Sequence, residues 1–177
     1  GTMGLVMLNP TFPVDLRNRP LHSLRMSITD RCNLRCEYCM PGENYTWLPS
    51  KDILSFEEIL RLTGLFADIG VTRLRLTGGE PLLRKNAEKL VAMICAAGRF
   101  EEVAMTTNAL GLAKLAQSLK DSGLSRLTIS LDSLREERVK AISGRDSLGQ
   151  VLAGLDAVAA AGFTGTKLDT VAMRGVN

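Results

Sequence analysis

The amino-acid sequence predicts an α/β fold built as an incomplete (β/α) barrel, truncated after about five parallel strands. The first observation is that strand-like and helix-like segments alternate along almost the whole chain from Leu24 onward. Repeated strand–helix–strand units are typical of parallel sheets with helices packed outside them. The second observation is that each predicted strand has one polar face, which favours a curved sheet over an open sheet covered on both sides.

The five predicted strands rest on alternation of apolar and polar side chains with period two. In the first strand, Leu24, Met26 and Ile28 share one face. The opposite face carries polar side chains, Arg25 among them. The same alternation predicts the complete set of strands over residues 24–29, 73–77, 102–107, 126–131 and 166–173.

The predicted helices rest on apolar residues at helical spacing and on their end signals. The segment 54–70 begins with a capping box, formed by Ser55 and Glu58, and ends at Gly70. A second helix covers residues 86–97, a third carries Leu112 to Leu119 and stops at Gly123, and one or two more extend through Ala161. We interpret residues 1–23 as an N-terminal extension and residues 24–177 as the partial barrel.

The polar strand faces include four cations, Arg25, Arg73, Arg75 and Lys167. A purely structural barrel fills its interior with branched apolar side chains. Cations there instead predict a cavity for a polar, anionic ligand. The alternative is that these cations lie on the exposed face of an open sheet.

Composition excludes several classes of function. The chain of 177 residues is 45% apolar and 23% charged, which is ordinary for a globular domain. Its formal net charge is only +3, with Lys and Arg scattered, so we expect no nucleic-acid partner. No long apolar run and no secretory signal pattern is present, which predicts a cytoplasmic protein without membrane contact.

Three of the four cysteines lie in the stretch TDRCNLRCEYCMP, residues 29–41, directly after the first predicted strand. These are Cys32, Cys36 and Cys39. A structural zinc site needs four ligands, and the remaining candidate, His22, lies ten residues before Cys32 with a strand between them. Three thiolates on a four-iron cluster leave one iron open to bind a small molecule. The spacing alone does not exclude zinc.

The stretch CNLRCEYC resembles the three-cysteine signature of the radical S-adenosylmethionine enzymes, and LTGGEPLL, after the second strand, resembles that family's motif for the methionine amino group. The resemblance implies a 4Fe-4S cluster held by Cys32, Cys36 and Cys39, and S-adenosylmethionine on the open iron. It implies that an external electron donor reduces the cluster, and that S-adenosylmethionine is then split to methionine and a 5'-deoxyadenosyl radical.

A closer resemblance, from Leu24 to Asn177, is to the GTP 3',8-cyclases of molybdenum cofactor biosynthesis. It rests on LRMSITDRCNLRCEYCMP, LRLTGGEPLLR, MTTNA, ISLDSL, ISGRD and VAMRGVN in that order. The resemblance implies that the radical takes hydrogen from C3' of GTP, after which the ribose carbon attacks C8 of guanine. It implies cofactor contacts at Tyr38, Gly78, Gly79, Glu80 and Ser130, and GTP contacts at Arg25, Arg75, Thr106 and Lys167.

The chain departs from this family's pattern in three places. The family has a second cluster on three C-terminal cysteines, whereas this sequence ends at Asn177, so we expect a missing C-terminal portion or one supplied by a second subunit, as in a homodimer. Ala109 stands where glycine is usual, and Asp169 where asparagine is usual. Two other hypotheses stay open: a radical enzyme for another substrate such as a peptide, and a zinc-binding interaction domain.

Overall fold

The computed structural model describes residues 12–42 and 44–177 and contains one five-stranded sheet. Of the predicted N-terminal extension, residues 1–11 lie outside the described residues, and the rest includes an antiparallel bridge between Val14 and Pro20. The strands are β1 (Ser23–Ser27), β2 (Arg73–Thr77), β3 (Glu102–Thr107), β4 (Arg126–Ser130) and β5 (Lys167–Asp169). The helices are α1 (Phe56–Asp68), α2 (Ala87–Ala96), α3 (Leu112–Asp121), α4 (Glu136–Ser143) and α5 (Leu148–Ala160).

The order of the strands in the sheet decides between the two fold alternatives. Every pair is parallel, and the order is β1-β2-β3-β4-β5 without a reversal. Right-handed crossovers between strands taken in this order place all helices on one face of the sheet. A doubly wound sheet needs a reversal of strand order to place helices on both faces. The predicted partial barrel is therefore confirmed.

The apolar strand faces form the core together with the helices. Leu76, Met105, Leu127 and Ile129 are each 0% exposed. The alternate positions of the strands carry polar side chains, and these pair with one another: Arg25 pairs with Arg75, and Thr128 pairs with Thr106 and with Lys167. Paired residues in a sheet share a face, so the polar side chains form one continuous surface on the side away from the helices.

The local predictions for the helices hold with small shifts of boundary. The capping box of α1 is present, because Ser55 accepts from the Glu58 N–H and the Glu58 carboxylate accepts from the Ser55 N–H. The last helical region splits into α4 and α5, with Gly144 in the left-handed conformation at the end of α4 (φ 71°).

The fifth strand was predicted too long. It covers three exposed residues instead of residues 166–173. After Asp169 the chain leaves the ladder: the Thr170 hydroxyl donates to the Leu131 carbonyl, and the Val171 N–H donates to the Asp132 side chain. These side-chain partners replace the backbone partners that a longer strand would have used.

Ala109 is fully buried with φ 68°, a left-handed conformation that glycine adopts without strain, which explains why glycine suits this position.

Within the two described ranges, no helix has the length and apolar character needed to cross a bilayer.

Two mid-helix glycines are expected to respond in opposite ways to alanine. Gly154→Ala should lower the free energy of unfolding by about 1–3 kcal/mol, because its Cβ would lie 2.7 Å from the Ala109 carbonyl oxygen and force α5 away from α3. Gly64→Ala in α1 should raise it by about 0.5–1 kcal/mol, because a Cβ there meets no atom within 4 Å and alanine favours the helix. Urea denaturation measures both changes. Equal effects of the same sign would contradict the packing described here.

Candidate functional site

A cavity of about 520 Å³ lies at the carboxyl ends of the strands, where parallel α/β folds place their ligands. The structure brings most of the predicted site residues to its wall: Arg25, Cys32, Cys36, Tyr38, Cys39, Gly79, Glu80, Thr106 and Ser130. Three predicted residues do not line it, namely Gly78, Arg75 and Lys167. Nine of the twelve predicted site residues therefore border one cavity.

The cysteine loop is fixed by backbone contact with the loop that follows β2. The Gly79 N–H donates to the Thr29 carbonyl at 2.8 Å, and the Glu80 N–H donates to the Arg31 carbonyl at 2.7 Å. A Cβ at Gly78 would lie 2.5 Å from the Thr29 oxygen, and one at Gly79 only 2.3 Å from the Arg31 oxygen. The two glycines are thus needed because two backbone segments pack directly against each other.

Cys32, Cys36 and Cys39 all line the main cavity. Within residues 12–42 and 44–177, no group of three or more His, Cys, Asp or Glu side chains is arranged to hold a single metal ion. A mononuclear zinc site needs such convergence, whereas a four-iron cluster takes each thiolate on a different iron. Three thiol donors in the wall of one cavity fit a 4Fe-4S cluster. Burial is the main cause of a raised pKa at the thiols of Cys32 and Cys36.

Arg35 stabilises the cysteine loop from within, a role that the sequence reading missed. Its Nη1 donates to the carbonyl of Cys32 at 2.9 Å and to that of Leu34 at 2.8 Å. The guanidinium lies 5.3 Å from the Tyr45 ring centroid and 5.4 Å from that of Trp47. Cation–π contact with the two aromatic rings fixes the cation while it bonds the loop. An arginine directly before Cys36 did not by itself predict this role.

Two further backbone bonds hold the cysteine loop from another side. The Arg35 N–H donates to the Ser143 carbonyl at 2.8 Å, and the Glu37 N–H donates to the Ile142 carbonyl at 3.1 Å. Because both carbonyls belong to the last turn of α4, they are among the groups that a helix leaves without intrahelical partners. The end of α4 therefore anchors the middle of the cysteine loop.

Glu80 joins the ends of β2 and β3 and is 2% exposed. Its Oε1 accepts from the Thr107 hydroxyl at 2.6 Å and from the Leu82 N–H at 3.0 Å, and its Oε2 accepts from the Asn108 N–H at 2.8 Å. Burial raises the pKa of Glu80, while these hydrogen bonds act in the opposite direction. A carboxylate offers about four lone-pair positions, so one position on Oε2 is left for a ligand.

Tyr38 and Ser130 lie on the cavity wall beside Asp132. The Tyr38 hydroxyl donates to Asp132 Oδ2 at 2.8 Å. Burial, and next this bond to a carboxylate, raise the pKa of Tyr38 far above its ordinary value. Asp132 was not among the predicted site residues, although it lies in the ISLDSL motif immediately after a strand end, which is the signal that could have identified it.

The predicted GTP contacts divide into two groups. Arg25 and Thr106 line the cavity, and Arg75 lies behind them, its Nη1 donating to the Thr128 hydroxyl at 2.7 Å and to the Thr106 hydroxyl at 3.3 Å. Lys167 is exposed on the edge strand β5 and lies outside the cavity wall. Asp169, which stands where the family usually has asparagine, does line the cavity and adds a negative charge to its wall.

A second cavity of about 500 Å³ lies on the other side of the cysteine loop. Cys32, Cys39 and Gly79 belong to the walls of both cavities, and Gly78 and Arg84 belong to the second. The predicted residue Gly78 therefore borders the second cavity and not the main one. Cys32 and Cys39 border both cavities, so the cysteine loop lies between them.

Comparison with known proteins identifies related sequences over most of this chain. The model of the radical SAM superfamily matches residues 26–177. The GTP 3',8-cyclase 1 of Mycobacterium tuberculosis (strain ATCC 25618 / H37Rv) is 48% identical over 167 residues, covering 92% of this chain and 46% of the relative. The GTP 3',8-cyclase of Pseudomonas entomophila is 47% identical over 169 residues, covering 96% and 50%. The chain spans about half the length of the curated relatives it matches.

Solved structures share the fold at low sequence identity. The peptide-bound SuiB of Streptococcus suis superimposes with a TM-score of 0.73 at 19% identity, over 87% of this chain and 34% of SuiB. The FeFe-hydrogenase maturase HydG from Carboxydothermus hydrogenoformans gives a TM-score of 0.67 at 16% identity, over 84% and 35%. At these identities the likeness shows the architecture alone.

Gly79→Ala should displace the cysteine loop, because the new Cβ would overlap the Arg31 carbonyl. We expect the variant to remain folded and to bind much less iron per chain after anaerobic reconstitution with iron and sulfide. Gly42→Ala is the matched control near the same cysteines, since its Cβ would come no closer than 3.6 Å to Tyr45, which is ordinary contact. Equal iron content in both variants would contradict the close-contact role of Gly79.

Proposed function

Since this chain belongs to the radical SAM superfamily, we propose that it forms the part of a GTP 3',8-cyclase that binds the 4Fe-4S cluster, S-adenosylmethionine and GTP. The observation that carries the proposal is the shared cavity. Three cysteines, Gly79 of the glycine loop and Arg25 and Thr106 of the polar strand face all border one space at the carboxyl ends of the strands. Curated relatives that are 47–48% identical over more than nine-tenths of the chain are named GTP 3',8-cyclases.

Cys32, Cys36 and Cys39 would hold the cluster through three of its irons. When bound, the cluster supplies the electron that cleaves S-adenosylmethionine. The residues of this chain position the reactants. Gly79 presents its backbone to the cavity, and Glu80 keeps one free lone pair there, which suits the ammonium group of the methionine moiety.

The rest of the S-adenosylmethionine site would lie between the cysteine loop and the end of β4. Tyr38 and Ser130 border the cavity from these two elements, so both can contact one molecule placed between them. We assign Gly78 a structural role instead of a direct contact, because it faces the second cavity and permits the close approach to Thr29.

The polar strand face would bind the GTP. Arg25 is exposed in the cavity, and Arg75 is fixed by two threonine hydroxyls, so its remaining N–H groups can donate to phosphate oxygens. Lys167 lies at the open edge of the same face and would reach the ligand from that side. Asp169 would lie away from the phosphates and nearer a donor group of the nucleoside, because its charge repels phosphate.

The apolar part of the wall would exclude water from reactive species. Leu34, Leu131, Val139, Ile142 and Val151 line the cavity and are each at most 9% exposed. A radical formed in such surroundings meets few solvent molecules that could quench it. This arrangement of apolar wall, thiols and cations favours radical chemistry on an anionic substrate over a structural metal site.

Replacing single cysteines tests the cluster assignment. Cys32→Ala, Cys36→Ala or Cys39→Ala should each lose the electron paramagnetic resonance signal of the reduced cluster, and with it the change in that signal on adding S-adenosylmethionine. Cys95→Ala is the matched control: Cys95 lies on α2, where its thiol donates to the Gly123 carbonyl, and this variant should behave like the unsubstituted protein. A signal that survives in all three single variants, or zinc in place of iron in anaerobically purified protein, would refute the assignment.

Charge reversal tests the substrate. Arg75→Glu should weaken binding of GTP at least tenfold, because it removes a charge-assisted hydrogen bond and places a carboxylate near phosphate. Arg61→Glu, on the exposed side of α1, provides the control with the same change of charge and should leave GTP affinity unaltered. Equilibrium binding of GTP to cluster-loaded protein gives the measurement. Unaltered affinity in Arg75→Glu protein, or no GTP binding at all, would favour another substrate such as a peptide.

A further inference from the structure

Asp132 lines the main cavity and bonds two distant segments of the chain. It lies two residues beyond the end of β4. Its Oδ2 accepts from the Tyr38 hydroxyl at 2.8 Å, its Oδ1 accepts from the Val171 N–H at 2.9 Å, and its carbonyl accepts from the Asn177 side-chain amide at 2.8 Å. One residue thus connects the cysteine loop to the segment after β5.

The Asn177 side chain extends this connection along the segment after β5. Its Nδ2 also donates to the Val171 carbonyl at 2.9 Å, and its Oδ1 accepts from the Met173 N–H at 2.8 Å. Residues 171–177 are therefore closed into a turn whose two ends both bond Asp132. The Asp132 carboxylate therefore bonds a segment that is already closed by its own hydrogen bonds.

Tyr38 depends on this bond for its orientation. Its side chain is 44% exposed, so apolar packing alone does not hold the ring in one place. Its own segment is a tight bend, in which the N–H groups of Cys39 and Met40 both donate to the Cys36 carbonyl, at 2.9 and 2.8 Å. The bond from Tyr38 to Asp132 therefore fixes this bend relative to the end of β4, and with it Cys36 and Cys39.

Asp132, Tyr38 and Val171 all belong to the wall of the same cavity. We propose that Asp132 is a positioning residue that holds Tyr38 and the segment after β5 beside each other in the cavity wall, in the arrangement that S-adenosylmethionine requires. This inference rests on the proposed function, since it names how that function's cofactor pocket is kept open and ordered. It assigns Asp132 no contact with the reacting atoms.

Hydrogen exchange in cluster-loaded protein without S-adenosylmethionine tests the connection itself. Asp132→Ala should speed amide exchange at Val171, whose hydrogen-bond acceptor is lost, and at Cys39 and Met40, whose bend is released. Tyr38→Phe should speed exchange in the bend alone, because the Val171 bond to Asp132 remains. Unaltered exchange at both places in Asp132→Ala protein would overturn the inference.

Binding of S-adenosylmethionine tests the consequence. Asp132→Ala should weaken the affinity about tenfold, the effect of losing one hydrogen bond to a charged group. Asp132→Asn should restore most of it, because its carbonyl oxygen still accepts from Val171 and its amide can donate to the Tyr38 oxygen. In protein that already carries Tyr38→Phe, Asp132→Ala should reduce the affinity for S-adenosylmethionine by a smaller factor than it does in the unsubstituted protein. The reason is that part of its effect acts through Tyr38. Glu136→Ala, at an exposed carboxylate in the first turn of α4, is the control and should leave the affinity unaltered.

The two ways of failing are distinct. If the unsubstituted protein binds S-adenosylmethionine and Asp132→Ala protein binds it equally well, the role of Asp132 is overturned and the proposed function stands. If the unsubstituted, cluster-loaded protein does not bind S-adenosylmethionine, the proposed function fails and the inference fails with it.

Discussion

Direct backbone contact between the cysteine loop and the glycine loop after β2 is the constraint on which the rest of the site depends. Two N–H groups of the glycine loop, at Gly79 and Glu80, extend the pairing of β1 with β2 beyond the ends of the strands. No side chain fits between these segments, so residues 78 and 79 must be glycine. Through Glu80 the same loop is bonded to β3, and the thiols thereby take their position from the sheet.

The order of the strands in turn explains why the polar face of the sheet is available to bind a ligand. Strands added in sequence order keep all helices on one side, so the opposite side has no helices to cover it and can carry charge. Arg25 and Arg75 lie there as register partners. The threonine hydroxyls that hold Arg75 show that this cation is ordered before any ligand binds, which lowers the entropy cost of binding an anion.

The predictions that failed or were incomplete concern long-range side-chain bonds. The fifth strand ends early because Val171 and Thr170 bond residues near the end of β4, some 39 residues away. Asp132 was missed as a site residue for the same reason, since its partners Tyr38 and Val171 lie 94 and 39 residues away. Arg35 was missed for a different reason: its side chain bonds nearby carbonyl groups, and its sequence neighbourhood does not predict that contact. Lys167 was predicted correctly as part of the polar face, but its place on the edge strand leaves it outside the cavity wall.

The sequence by itself determined the strands, the helices, the polar face and the three thiols, because these follow from periodicity, end signals and ligand spacing within short stretches. Its motif order also determined the family. Only the tertiary structure decided that the sheet is an open arc with unreversed strand order. It also decided which predicted residues share one cavity and which side chains join its walls, because hydrogen bonds such as that from Tyr38 to Asp132 connect residues far apart in the chain.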